Sequence, residues 1–116
     1  MPRKHPEQDL QRVCADWLQI LENQGKLAFF HPPNGGWRSK VEAAIFTSLG
    51  VKPGVSDLCI LMPGGRVGFI ELKARAETPT DKQLDFMEKC QLLGIPTAVC
   101  WKFEQVEDVV RGWLES

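Results

Sequence analysis

Residues 54–73 read GVSDLCILMPGGRVGFIELK, and the alternation of side chains along them decides the fold. Val55 to Leu61 reads as a strand, Met62 to Arg66 as a glycine-bearing turn, and Val67 to Lys73 as a second strand, together a β-hairpin. Successive side chains of a strand point to opposite faces. Glu71 and Lys73 therefore share one face, and Ile70 and Leu72 the other. The loop length sets the register. A two-residue Gly64-Gly65 loop puts Asp57 opposite Leu72, on the wrong face for Glu71. A three-residue Pro63-Gly64-Gly65 loop pairs Met62 with Arg66 and hence Asp57 with Glu71, with Cβ atoms about 4.5–5.5 Å apart. That register also gathers Leu58, Ile60, Ile70 and Leu72 on one apolar face, although a bulge would alter the count.

The three-residue register brings a particular chemistry together. A carboxylate and an ammonium on an otherwise apolar strand are costly to desolvate unless they pair or bind a ligand. Asp57 and Glu71, facing each other across the hairpin, can hold one divalent cation. Oxygen-only ligation suits Mg²⁺ or Mn²⁺ rather than zinc, and neither His5 nor His31 has a partner at metal-ligand spacing. Such an ion polarises a phosphoryl oxygen and lowers the pKa of a bound water. Lys73, on the same face, can orient that water or neutralise charge developing on the phosphate. The parts add up to phosphodiester hydrolysis. The plainer alternative makes Glu71 and Lys73 a surface ion pair and Asp57 a turn-capping residue.

Outward from the hairpin, the periodicity places the remaining elements. Leu10, Val13, Cys14, Trp17, Leu18 and Leu21 mark an amphipathic helix from Glu7 to Asn23, stopped by Gly25. Lys26 to Phe30 reads as a short strand, followed by a loop through Asn34, Gly35 and Gly36. Ser39 and Glu42 open a helix that runs to about Leu49. Thr78-Pro79-Thr80-Asp81 caps another, ending near Leu93 and Gly94. Pro96 opens a strand through Trp101, and Phe103, Val106, Val109, Val110, Trp113 and Leu114 form the last helix. The order α-β-α-β-β-α-β-α, with no repeat or linker, describes a single mixed α/β domain over residues 1–116. Trp101 and Trp113 are assigned to the core, as are Trp37, Ile45 and Phe46, with a dimer interface as the other place for the last three.

Composition narrows the function classes. The 116 residues are 43% hydrophobic and 25% charged, the balance of a globular protein. With 14 basic and 15 acidic residues the net charge is −1, which does not mark a purely electrostatic nucleic-acid binder. Nothing approaches the ~20 apolar residues of a membrane span. The basic start, Met1 to Pro6, has no apolar segment behind it, so the expectation is a cytoplasmic protein that is not secreted. Cys14, Cys59, Cys90 and Cys100 sit in apolar segments without a C-x-x-C pair and read as reduced core thiols.

Gly54-Val55-Ser56-Asp57, followed after the hairpin turn by Gly68-Phe69-Ile70-Glu71-Leu72-Lys73, resembles the PD-(D/E)xK nuclease signature, with Ser56 in place of the usual proline. Glu7 at the start of the first helix, the Asn34-Gly35-Gly36 loop, the approach Gly50-Val51-Lys52-Pro53-Gly54, and Gln83 in the helix after the E-x-K extend the match. Within that superfamily the chain is similar to a stand-alone VRR-NUC domain, the virus-type replication-repair nuclease module of phage and bacterial type. The resemblance implies a restriction-endonuclease-like fold, with a central mixed β-sheet flanked by helices. It implies Asp57 and Glu71 as metal ligands with the Leu72 backbone carbonyl, and Lys73 serving the attacking water. Glu7 would reach the outer metal shell, and Gln83 would position Lys73 or the scissile phosphate. It further implies a homodimer resembling Holliday-junction resolvases, acting on branched or flapped DNA in replication, recombination or repair, without an organic cofactor. Asn34, Arg38, Lys40, Lys52 and Arg75, with Lys82, are the candidates for phosphate contacts. Two other readings stand beside this one: a catalytically silent DNA-binding or assembly module on the same scaffold, and a nuclease for RNA.

Overall fold

The computed structural model describes residues 6–32 and 39–116. The elements are α1 (Pro6–Asn23), β1 (Ala28–Phe30), α2 (Lys40–Ser48), β2 (Leu58–Met62), β3 (Arg66–Leu72), α3 (Asp81–Leu92), β4 (Thr97–Cys100) and α4 (Phe103–Glu115). This is the order expected from the periodicity, with the first strand shorter than the apolar run around it.

The sheet is four-stranded and mixed, in the order β1-β2-β3-β4. β1 runs antiparallel to β2, β2 antiparallel to β3, and β3 parallel to β4. The hairpin turn is a single 3₁₀ turn, Pro63–Gly65, with Gly64 at φ 80°, a conformation that costs a glycine nothing. Met62 pairs with Arg66 and Leu58 with Ile70, which is the three-residue register. β2 starts at Leu58 and not at Val55. The Leu72 N–H, which a longer ladder would give to the β2 backbone, instead donates to Asp57 Oδ2 at 2.7 Å. Pairing stops where the carboxylate takes over.

Alternation then sorts the two faces. Leu58, Ile60, Met62, Ile70, Leu72 and Cys100 form one buried face with Cys14, Leu18 and Leu21 of α1 and Val106 and Val110 of α4. On the other face Phe69 meets Phe86 of α3 edge-on, with ring centroids 5.0 Å apart. Helices thus cover both sides of the sheet. All four cysteines are buried and free. Burial pushes the Cys14 thiol up to about 12 and Cys100 up to about 11, so both stay protonated and unreactive.

Three residues assigned to the core from the sequence, Trp101, Ile45 and Phe46, lie outside it. Trp101 is only half-buried and stands apart from the core cluster; its indole Nε1 donates to the Glu77 carbonyl at 2.8 Å and ties down the loop after β3. Trp113 is also half-buried but does pack on the core, with its ring against Gly68. Ile45 and Phe46 are 52% and 39% exposed, and no residue of α2 is buried. Hydrophobic periodicity shows that a helix has an apolar stripe but does not say whether the same chain covers it. Trp37 lies outside the described residues.

Candidate active site

Three stretches distant in sequence converge at one end of the hairpin. Glu7 comes from the first turn of α1, Asp57 from the residue before β2, and Glu71 from the penultimate position of β3. One carboxylate oxygen from each lies within 4.8 Å of the others. Lys73 follows the end of β3, with Nζ 3.6 Å from Glu71 Oε2. The three-residue register, continued one step past the last pair, Leu58 with Ile70, sets Asp57 opposite Glu71 and brings these groups together.

Asp57 and Glu71 are each held by specific partners. Asp57 is fixed at Oδ2 by the Leu72 N–H, and its own carbonyl accepts from His31 Nδ1 at 2.6 Å. The acceptor is a carbonyl, so the imidazole must carry its proton on Nδ1. Gln83 Nε2 donates to Glu71 Oε2 at 3.0 Å. The other end of that amide, Oε1, accepts from the Thr80 N–H at 2.8 Å, while Thr80 Oγ1 caps the Gln83 N–H. This reciprocal capping box locks the start of α3 and aims the Gln83 amide at Glu71. Gln83 thus contacts the carboxylate of the E-x-K pair.

Burial makes the charge balance severe. Glu71 is 1% and Lys73 7% exposed. Were all three ionised, Glu7, Asp57 and Glu71 would outweigh the Lys73 ammonium by two negative charges, the charge a divalent cation would cancel. Without one, burial pushes the Glu71 carboxyl up to about 8, the neighbouring Asp57 charge adds to the rise, and Lys73 opposes it. Glu7 is raised for the same leading reason, desolvation, reinforced by Glu77 and Asp57 and opposed by Lys73. Glu71 Oε1 is buried with no hydrogen-bond donor. A buried carboxylate oxygen left without a donor is costly. A hard cation held by Asp57 and Glu71, with Glu7 beside it, would satisfy it, so the oxygen donors fit Mg²⁺ or Mn²⁺.

Two further groups belong to this surround and were not read from the sequence. Glu77 stands close enough to Glu7 to raise its pKa, and its Oε1 accepts from the Ala74 N–H at 3.2 Å. Only the turn after Lys73, with Arg75 at φ 48°, folds Glu77 back, and no spacing rule signals that. His31 was set aside for want of a metal-ligand partner, and its actual role is toward the Asp57 backbone. Among the candidates for DNA contact, Lys40, Lys52, Arg75 and Lys82 are exposed. Lys52 and Lys82 line one groove with Phe69 and Phe86. Asn34 and Arg38 lie outside the described residues.

Residues 2–102 match the model of the VRR-NUC domain family. Among solved structures, one described as a "VRR_NUC domain protein" superposes with TM-score 0.77 at 22% identity, covering 98% of this chain and 92% of its own. Another, described as a "VRR_NUC domain", gives TM-score 0.62 at 20% identity over 91% of this chain and 95% of that one. At these identities the likeness speaks to the fold. A search of curated proteins returns no match.

Proposed function

The chain belongs to the VRR-NUC family of nucleases, and from that premise we propose that it is a Mg²⁺- or Mn²⁺-dependent endonuclease hydrolysing phosphodiester bonds in branched DNA. The reading takes residues 1–116 as one nuclease domain with the PD-(D/E)xK fold. The observation that carries it is the convergence of Glu7, Asp57 and Glu71, each with a carboxylate oxygen within 4.8 Å of the others, at a Glu71 side chain whose buried Oε1 has no donor. A structural ion pair would have no reason to gather a third carboxylate there.

Asp57 and Glu71 would hold the cation with the Leu72 carbonyl, and Glu7 would act from the outer shell. When bound, the ion supplies Lewis-acid polarisation of the phosphoryl oxygen and makes hydroxide accessible at neutral pH. The chain's own groups do the rest. Lys73, beside Glu71, orients the attacking water and neutralises charge that develops on the phosphate. Gln83 keeps Glu71 in a single orientation, and the Leu72 N–H does the same for Asp57. Burial holds the proton on Glu71 up to about pH 8, and a cation bound there would displace it. Asn34, Arg38, Lys40, Lys52 and Arg75 would bind phosphates around the cut.

A homodimer suits a roughly symmetric junction, because a two-fold pair presents two sites to it. The exposed Val41, Ile45, Phe46 and Leu49 on and just after α2 support such an interface. No helix among the described residues is long and apolar enough to cross a membrane. Four buried free thiols suit a reducing cytoplasm.

The test is a panel of labelled flap, splayed-arm, linear and four-way DNA with Mg²⁺, Mn²⁺ or chelator, and matched RNA alongside. Cutting of branched DNA that requires the metal and disappears in Asp57→Ala and Glu71→Gln, both still folded, is expected. Undiminished cutting by both variants would sink the proposal. Binding without cutting under every metal would favour the silent assembly module.

A further inference from the structure

A second concave surface opens beside the carboxylates. It is a groove of about 510 Å³ whose lining combines apolar residues, among them Phe69, Phe86 and Ile95, with Lys52, Lys82, Lys89 and Asp85. That volume lies within the roughly 300–1,000 Å³ of sites that enclose small ligands. Phe69 and Phe86 meet edge-on with centroids 5.0 Å apart, and both are half-buried, so aromatic surface remains open to the groove. The three lysines are exposed. Gly54 is what lets the Lys52 segment close against α3. A Cβ at that position would stand 2.4 Å from the Lys82 carbonyl oxygen, and its φ of +84° already favours glycine.

The groove and the site described above share strand β3 and the start of α3. Phe69 precedes Glu71 by two positions on the same strand and therefore lies on the same face. The separation is about 7 Å, or roughly two steps of a nucleic-acid strand rising about 3.4 Å each. Lys82 adjoins Gln83, whose amide holds Glu71. We propose that this groove takes an unstacked base of the DNA strand being cut, one or two nucleotides from the scissile phosphate. The base lies against Phe69 and Phe86 while Lys52, Lys82 and Lys89 hold the flanking phosphates. Aromatic faces bind any base by stacking, and lysines follow the backbone. Asp85 adds an acceptor that an exocyclic amino group of a base can satisfy. An intact duplex keeps its bases stacked and cannot fill such a groove, so the groove selects DNA with an unpaired arm. This assignment rests on the nuclease reading and names the feature of the substrate that the site recognises.

Photocrosslinking tests it directly. Splayed-arm DNA carrying 5-iododeoxyuridine at successive positions is irradiated with the whole chain and Ca²⁺, and adducts are mapped by mass spectrometry; a parallel sample with Mg²⁺ follows cutting. Adducts on Phe69 or Phe86 from one or two positions near the cut are expected. Phe86→Leu, which keeps an apolar side chain but removes the aromatic face, should weaken splayed-arm binding about tenfold and leave duplex binding nearly unchanged, and Lys82→Ala/Lys89→Ala, which changes only exposed groups, should weaken splayed-arm binding about tenfold and lower its salt dependence. Adducts confined to other residues, or both variants binding like the parent, would overturn the assignment. So would adducts that vanish at the concentration where the chain self-associates, which would give the groove to a second copy. Cutting without groove adducts defeats this assignment alone, and groove adducts without cutting defeat the nuclease reading alone.

Discussion

Glu71 carries a heavy electrostatic burden. It is buried beside two other acids, and its carboxyl is pushed up to about 8 first by desolvation and then by Asp57. A group that holds its proton more tightly when folded makes stability fall with rising pH, because the unfolded chain ionises first. Below the ordinary glutamate value near 4.5 both states are protonated; between there and about 8 only the folded state keeps the proton. The metal-free protein is therefore expected to melt at lower temperature as pH rises from 5 to 8. Glu71→Gln should flatten that dependence, and added Mg²⁺ should restore stability most strongly at pH 8. Thermal melts across that range, with chelator and with metal, check all three. A melting temperature independent of pH in the parent protein would contradict the charge balance assigned to this site.

At the same scale, the sequence disclosed part of the site and concealed part. Asp57 and Glu71 were legible because loop length and strand alternation are local rules, and Met62 opposite Arg66 fixes both. Lys73 followed from its spacing to Glu71. Glu7 was reached through resemblance alone, since an acid in a first helical turn is ordinary. Glu77 and His31 were not reached. Their places depend on how a turn folds back and where β1 ends, which are tertiary facts without a periodic signature.

Among the elements, the joint between the Lys52–Gly54 segment and α3 governs the alignment of the two halves of the site. Asp57 follows this segment by three residues, and Gln83 sits in the α3 turn it touches. Gly54→Ala introduces both a strained φ and a clash with backbone at Lys82. The expected result is a loss of about 1–3 kcal/mol in stability, typical of overpacking. Cleavage should fall by more than that stability loss explains, because Asp57 and Gln83 no longer meet Glu71 together. Chemical denaturation and initial rates on the same preparation check this; a variant as active as the parent would show that the joint is not needed. The helices and strands were readable to within a few residues. The start of β2 was not, because a side-chain carboxylate takes the Leu72 N–H that a backbone carbonyl would otherwise accept.

For the molecule as a whole, the open question is what meets α2. Its apolar stripe lies outside the core, with Val41 69%, Ile45 52% and Leu49 72% exposed. If that stripe joins two copies, Ile45→Asp should convert a dimer to a monomer in sedimentation experiments and change the monomer's stability by less than about 0.5 kcal/mol, as befits an exposed position. A parent protein that sediments as a monomer at every concentration would remove the two-site picture of junction cutting while leaving the chemistry of each site intact.

That chemistry stands on one site, and manganese makes the site visible. In crystals soaked with Mn²⁺, anomalous scattering is expected to give a peak between Glu7, Asp57 and Glu71, with the Asp57 and Glu71 oxygens about 2.1 Å from it. Well-diffracting crystals with no peak there, and Glu71 Oε1 hydrogen-bonded to a protein donor instead, would contradict the account.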